Sequence, residues 1–282
     1  MDFSLEVFSI VLFFGACLAG FVGSLTGLGG GVIVIPLLTL VFGVDIRYAV
    51  GAALVTSIAT SSGAAAAYIK ERITNVRIGM FLEIATTIGA VVGAIIAIYL
   101  DKAYLAILLG IVLIFSAIRS IRKKDDTYDF SAPGDKLGVA LKLNGSYPAK
   151  GRGEVRYNVH NVIGGFSLMT VAGVLSGLLG IGSGALKVLA MDTAMKIPFK
   201  VSTTTSNFMV GVTAAASAVI YFQRGYIDPG LAMPIVVGVL LGAFFGSKIL
   251  PKANVRKLRL LFSIVILFLA ISLIYNGLTD KM

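Results

Sequence analysis

Lys187 is the charged residue that its surroundings suit least. It follows Gly184 by three positions, inside the apolar stretch 185–196. A lysine at the centre of a membrane helix costs roughly 2.5–3.5 kcal/mol on insertion scales. In the first turn of a helix it also adds charge to the positive end of the dipole. An anionic ligand would offset both effects; the alternatives are a snorkelling side chain or an ion pair with Asp192 or Glu83. A second polar feature, Ser202-Thr203-Thr204-Thr205-Ser206-Asn207, opens the next apolar segment. Hydroxyls and amides can coordinate an oxyanion without a second charge, and they also satisfy neighbouring helix carbonyls. Thr205, Ser206 and Asn207 are the expected substrate contacts, with Ser24, Thr26 and Ser183 as further candidates. Glu83 can carry a coupling proton or pair with Arg72 and Arg77. Asp192 is expected to pair with Lys196 at helical spacing, His160 to sit at a span boundary, and Lys248 to snorkel from a helix end.

What must position these residues is a pair of glycine runs. Gly27-Leu28-Gly29-Gly30-Gly31 recurs 153 residues later as Gly180-Ile181-Gly182-Ser183-Gly184. Glycine breaks membrane helices, and a broken helix survives at bilayer depth only where protein or a water-filled cavity satisfies its freed backbone groups. Half-helices starting near 31–33 and 184–186 would aim unpaired N–H groups and partial positive charge at the space before them. That geometry favours an anion between the two halves. Gly29, Gly30, Gly31, Gly182, Ser183 and Gly184 therefore join Lys187, Thr205, Ser206 and Asn207 as the substrate-binding set, with Glu83 as the coupling residue.

The chain as a whole suits such a site. With 57% hydrophobic and 13% charged residues and a mean hydropathy of +0.94, it lies far outside the soluble range. Apolar stretches long enough to cross a bilayer run over 5–22, 48–68, 78–100, 103–118, 161–179, 201–222, 230–249 and 257–276. Two shorter ones, 32–44 and 185–196, follow the glycine runs. The expected class is an all-α polytopic membrane protein, since the dyad alternation of a β-barrel is absent. The +10 charge does not suggest nucleic acid, because the basic residues sit between spans. The single cysteine, Cys17, excludes an intramolecular disulfide or a cysteine metal cluster, and no cofactor is implied. Asp2 and Glu6, where a signal peptide would carry Lys or Arg, lead us to expect no cleaved leader.

Residues 20–118 align with 173–271 without a gap, pairing Gly20 with Gly173, Gly89 with Gly242 and Gly93 with Gly246. Placing the central loop inside also places most of the 24 Lys and Arg residues inside, leaving Arg47, Lys102, Arg224 and Lys281 outside. The expectation is two inverted-topology repeats with broken, glycine-interrupted helices and both termini outside. They would occupy 1–121 and 160–282. Between them, 122–159 opens with Arg122-Lys123-Lys124-Asp125-Asp126 and reads as a small β-rich cytosolic insert. Its alternating stretches Lys136–Leu143 and Glu154–Val159 flank Asn144-Gly145 and a Pro148/Gly151/Gly153 turn region. Gly89 with Gly93, and Gly238 with Gly242 and Gly246, are spaced for close helix packing in lipid.

The stretch Gly173-Val174-Leu175-Ser176-Gly177-Leu178-Leu179-Gly180-Ile181-Gly182-Ser183-Gly184 resembles the sulfite exporter TauE/SafE family of membrane transporters. Thr205-Ser206-Asn207-Phe208-Met209-Val210-Gly211-Val212-Thr213-Ala214 is similar to that family's second repeat. The resemblance covers nearly the whole chain apart from the insert. It implies secondary transport of a sulfur-containing anion, such as sulfite or an organosulfonate, across the cytoplasmic membrane of a prokaryote. Ser183 replaces a glycine of the family's usual triple run. Leu189 stands where the family commonly has proline, as Pro36 does in the first half, a change expected to straighten the second half-helix. The implied partners are a small anion and the lipid bilayer; coupling to a proton or sodium and a homodimer are both compatible. The alternatives are a channel or carrier for another anion, such as a carboxylate, and a non-transporting sensor or scaffold. An enzyme is disfavoured by one His, one Cys and few intramembrane carboxylates. A Walker A sequence is absent, so the chain carries no ATP-driven chemistry of that kind.

Overall fold

The computed structural model describes residues 5–26, 30–122, 133–149, 153–249 and 255–279. Gly29, the charged run Lys123–Asp126 and Gly151 lie outside the described residues. Each of the eight long apolar stretches coincides with a helix. They are α1 (Leu5–Thr26), α3 (Ile46–Lys70), α4 (Val76–Tyr99), α5 (Lys102–Arg122), α7 (Val162–Leu179), α9 (Phe199–Gln223), α10 (Pro229–Ile249) and α11 (Val255–Leu278). Five of them, α3, α4, α7, α9 and α10, are long and apolar enough throughout to cross a membrane. The chain is a helical, polytopic membrane protein.

Its polarity is turned inward. Buried side chains include Thr56, Ser57, Thr60, Thr204, Ser206 and Thr213, while Ile84, Ile88, Ile95, Met233, Phe244 and Phe245 are exposed. Lipid is as apolar as a core, so apolar exteriors are stable there and polar groups seek partners inside. Glycine stripes bring the helices together. A Cβ on Gly89 would strike the carbonyl of Thr170 and the backbone of Val174. One on Gly242 would strike the carbonyl of Cys17 and the backbone of Phe21. The same offset of 153 relates Gly173 against Thr86 to Gly20 against Val239. Thus α4 lies along α7 as α10 lies along α1, and only a residue without a side chain permits backbones that close.

The short elements also come in two copies. α2 (Gly31–Pro36) continues into a π-helical turn at Leu37–Val41, and α8 (Gly184–Leu189) into one at Ala190–Ala194. Val44 N donates to Leu38 O at 3.0 Å, and Ile197 N to Met191 O at 3.0 Å, closing both turns alike. Leu189 therefore does not straighten the second half-helix. The widened turn is fixed by the backbone bonds that end it, not by the proline. Each piece rises only about 16 Å at 1.5 Å per residue, half a hydrocarbon core.

The segment between α5 and α7 is a small unit resting on the helix ends. Lys136–Leu143 is not a strand: Lys136–Ala140 forms a short helix, α6. Asp135 holds its start, donating from N to Val159 O at 2.9 Å and accepting from Val162 N at 3.1 Å. These fixed ends override the alternation. The strands are β1 (Gly145–Ala149) and β2 (Gly153–Tyr157), an antiparallel ribbon pairing Gly145 with Tyr157 and Ala149 with Gly153. Pro148, read as a turn residue, fits because each strand of a two-stranded ribbon is an edge. Leu143, Tyr157 and Val159 pack with Met191, Met195 and Ile197 beyond α8. Asn75 fastens the unit to the helices. Its Nδ2 donates to Leu143 O at 3.1 Å and to Tyr157 Oη at 2.8 Å, while its Oδ1 caps α4 by accepting from Ile78 N.

Candidate functional site

The second glycine run interrupts the helix outright. α7 ends at Leu179, and Gly180, Gly182 and Ser183 take left-handed φ values of 66°, 65° and 44° before α8 begins. Only glycine adopts this region without cost, so Ser183 is the strained member of the run. In the first run, α1 ends at Thr26 and α2 starts at Gly31. The two interruptions meet. A Cβ on Gly31 would lie 3.0 Å from Ser57 Oγ on α3 and 3.1 Å from Gly180 O. On Gly182 it would lie 3.4 Å from the same serine oxygen.

α9 stitches this junction together with the polar run that opens it. Ser206 Oγ donates to Gly184 O at 3.1 Å, and Asn207 Nδ2 to Ser24 O at 3.2 Å. Ser61 Oγ of α3 donates to Asn207 O at 2.6 Å. Ser206 and Asn207 thus span both breaks. Thr205 faces elsewhere: its Oγ1 accepts from Asn75 N at 3.1 Å, at the end of α4 that holds the insert. Gly30 packs against α3, where a Cβ would lie 2.9 Å from Thr60 Oγ1.

Lys187 is fully buried at 0% exposure, so it does not snorkel. Its ammonium donates to Thr213 Oγ1 on α9. Thr213 Oγ1 in turn donates to Glu83 Oε1 on α4 at 2.5 Å, and Thr87 Oγ1 donates to the same oxygen at 3.3 Å. Glu83 is buried and engages these hydroxyls, while Arg72 and Arg77 are exposed. No direct ion pair joins Lys187 to Glu83; a threonine hydroxyl intervenes. Asp192 is buried on the π-helical turn, and Lys196 is exposed just beyond it at φ 53°. His160 stands just before the Asn161 cap of α7, and Lys248 lies over the Phe244 ring near the end of α10.

Several buried polar atoms around this junction have no hydrogen-bond partner: Ser57 Oγ, Ser183 Oγ, Asn207 Oδ1 and Glu83 Oε2. Orphaned groups at such depth are costly unless something polar meets them. Ser57 and Thr213 escaped the sequence reading. The signal for Thr213 was its hydroxyl in register with Thr60, its repeat counterpart at the offset of 153. A groove of about 540 Å³ between α4 and α9, lined by Ile95, Tyr99, Val219 and Arg224 among others, is separate from Lys187.

Broken half-helices meeting among spans, with a buried ammonium and a buried carboxylate linked through one hydroxyl beside them, fit the class of polytopic membrane transporters. The chain belongs to the sulfite exporter TauE/SafE family, whose description matches residues 12–273. It is 27% identical over 275 residues to the probable membrane transporter protein YunE of Bacillus subtilis, covering 95% of this chain and 98% of that one. It is 25% identical to the probable membrane transporter protein YdhB of the same organism, covering 88% and 92%. The probable membrane transporter protein MJ0441 of Methanocaldococcus jannaschii is 24% identical, covering 88% and 89%. No solved structure matches the chain.

Proposed function

We propose that this protein is a secondary transporter that carries a small sulfur-containing oxyanion, such as sulfite or an organosulfonate, across the cytoplasmic membrane of a prokaryote. The observation that carries the reading is Lys187, wholly buried beside the meeting breaks and touching no carboxylate directly. A buried ammonium without a direct counter-ion is stabilised by an anion that reaches it. Ser57, Ser183, Ser206, Asn207 and the glycines Gly30, Gly31, Gly182 and Gly184 gather where the two breaks meet. Their hydroxyls and close backbones suit a compact oxyanion. The family's description supplies the sulfur chemistry.

Transport proceeds by alternating access between two inverted repeats, 1–121 and 160–282, joined by the insert 122–159. Two features support the inversion. Equivalent contacts recur at the offset of 153, and α9 crosses its counterpart α3 in the opposite sense, with Ser61 near Asn207 and Ile58 near Gly211. The test is flux into liposomes holding the purified chain, with sulfite, methanesulfonate and acetate. Saturable uptake of the two sulfur anions is expected. Unsaturable flux would make the protein a channel, preference for acetate a carboxylate carrier, and no flux of any anion would remove transport of this class.

A further inference from the structure

Glu83, Thr213 and Lys187 come from three different helices, and together they hold one negative and one positive charge linked by a single hydroxyl. We propose that this triad is the coupling site, taking up one proton on Glu83 for each monovalent anion carried on Lys187. The inference rests on the reading of Lys187 as an anion contact.

The hydrogen bonds favour protonation at one atom. Glu83 Oε1 already accepts from Thr213 and Thr87, while Oε2 is buried and accepts nothing. A proton from the aqueous side can form an O–H bond at Oε2 without breaking either contact. No bond in the protein is lost, and the carboxylate becomes a neutral acid. The triad then changes from net zero to +1, borne by the Lys187 ammonium. One monoanion restores neutrality, so the loaded site crosses the membrane uncharged. A dianion would leave a net negative charge at bilayer depth, where charge is costly. The site therefore selects monoanions.

Few other charges compete. Helix α7, packed along α4, has no titratable residue between Val162 and Leu179. On α9 the titratable residues are Lys200 at its start and Tyr221, two turns beyond Thr213, which donates to the carbonyls of Gly177 and Leu178. Arg77, on α4 itself, is exposed at the end bearing the insert. Asp192, beyond α8, is the remaining buried acid among the described residues.

The test uses the full chain in liposomes and methanesulfonate, a monoanion at every accessible pH. Uptake into vesicles with a luminal pH dye should acidify the lumen by one proton per anion. The rate should not respond to a potassium diffusion potential. Binding should weaken about tenfold per pH unit once Glu83 is ionised in the empty carrier, the slope of one linked proton. Glu83→Gln, which mimics the protonated acid, should flatten that slope and abolish accumulation driven by a pH gradient. Methanesulfonate uptake by the unaltered protein without proton movement, or driven by sodium, would overturn the coupling while leaving anion transport standing. That measurement needs no variant, so it decides the matter even if Glu83→Gln misfolds. Proton movement that persists in a folded Glu83→Gln carrier would also overturn it. Absence of uptake of both sulfite and methanesulfonate would instead overturn the anion reading, and the coupling with it.

Discussion

The two glycine breaks share a backbone plan and differ in what surrounds it. Both are followed by six helical residues and a five-residue π-helical turn, closed by equivalent hydrogen bonds. Around the first break, Val34 stands where the second has Lys187, and Ala49–Leu54 stand where the second has Ser202–Asn207. The insert also packs under one break only, against Met191, Met195 and Ile197. Repetition supplies the scaffold, because helix breaks and glycine contacts depend on backbone shape. The polar groups are lopsided: one buried cation and one run of buried hydroxyls accompany the second break, with apolar residues at the matching positions of the first. A second buried lysine at Val34 would double the burial cost without a second partner.

The largest expected effect comes from removing the asymmetry. Lys187→Met removes the cation that balances the Glu83 carboxylate across the Thr213 hydroxyl, and a buried charge left uncompensated costs about 3–5 kcal/mol, read as a lowered unfolding temperature in detergent. Adding Glu83→Gln to that variant should restore much of the loss. Val34→Ala, at the matching position, should cost only about 2 kcal/mol for the methyl groups removed. A Lys187→Met protein as stable as its parent would mean that no charged pair is buried there. The same variant should weaken sulfite binding about 10–100-fold, a charged hydrogen bond of about 1.5–3 kcal/mol. Lys248→Met, exposed against Phe244, should change it less than about twofold.

Where the halves are alike, their variants should behave alike. Gly93→Val forces α4 off the backbone of Val174, and Gly246→Val forces α10 off that of Phe21. Each should destabilise by about 1–3 kcal/mol or more, measured in the same melts. A large difference between them would show that the two seams are not equivalent. Ser206→Ala removes a bond to Gly184 O that the first half lacks, since Ala53 is its counterpart. The expected loss is about 1 kcal/mol, with slower anion exchange; equal melting and exchange would make the hydroxyl idle.

The smallest effect concerns the insert. Burial pushes the Tyr157 phenol up to about 12, against the Asn75 hydrogen bond, which works to lower it. The folded protein therefore holds this proton more tightly than the unfolded chain does. Its stabilising contribution is whole below about pH 10 and lost as pH climbs from about 10 to about 12. Amide exchange of 143–159 should stay slow to pH 10 and quicken above it, after correction for intrinsic exchange. Quickening already near pH 8 would show that Tyr157 is not what seats the insert.

The spans, the second break and the packing glycines were legible in the residues, whereas snorkelling and burial of Lys187 were both open until the structure placed it inside. Hydropathy over about twenty positions and a recurring glycine register are properties of the chain alone. The insert was legible only in part: the β-rich character held, but α6 and β1 replaced the expected strand and turn. Alternation over eight polar residues is a weak signal, and Asp135 bonds to Val159 and Val162 outweighed it. Thr205 was placed with Ser206 and Asn207 by adjacency. Successive helical residues point about 100° apart, so Thr205 turned to Asn75 while its neighbours turned to the breaks.

By itself the sequence determined where helices run and where they break, because transfer from water to lipid and the freedom of glycine act over a few neighbouring residues. Only the tertiary structure decided that Lys187 meets Thr213, and that Thr213 meets Glu83 at 130 positions' separation. Those meetings depend on how closely three helices pack, and close packing is set by the glycine seams between them rather than by any one segment.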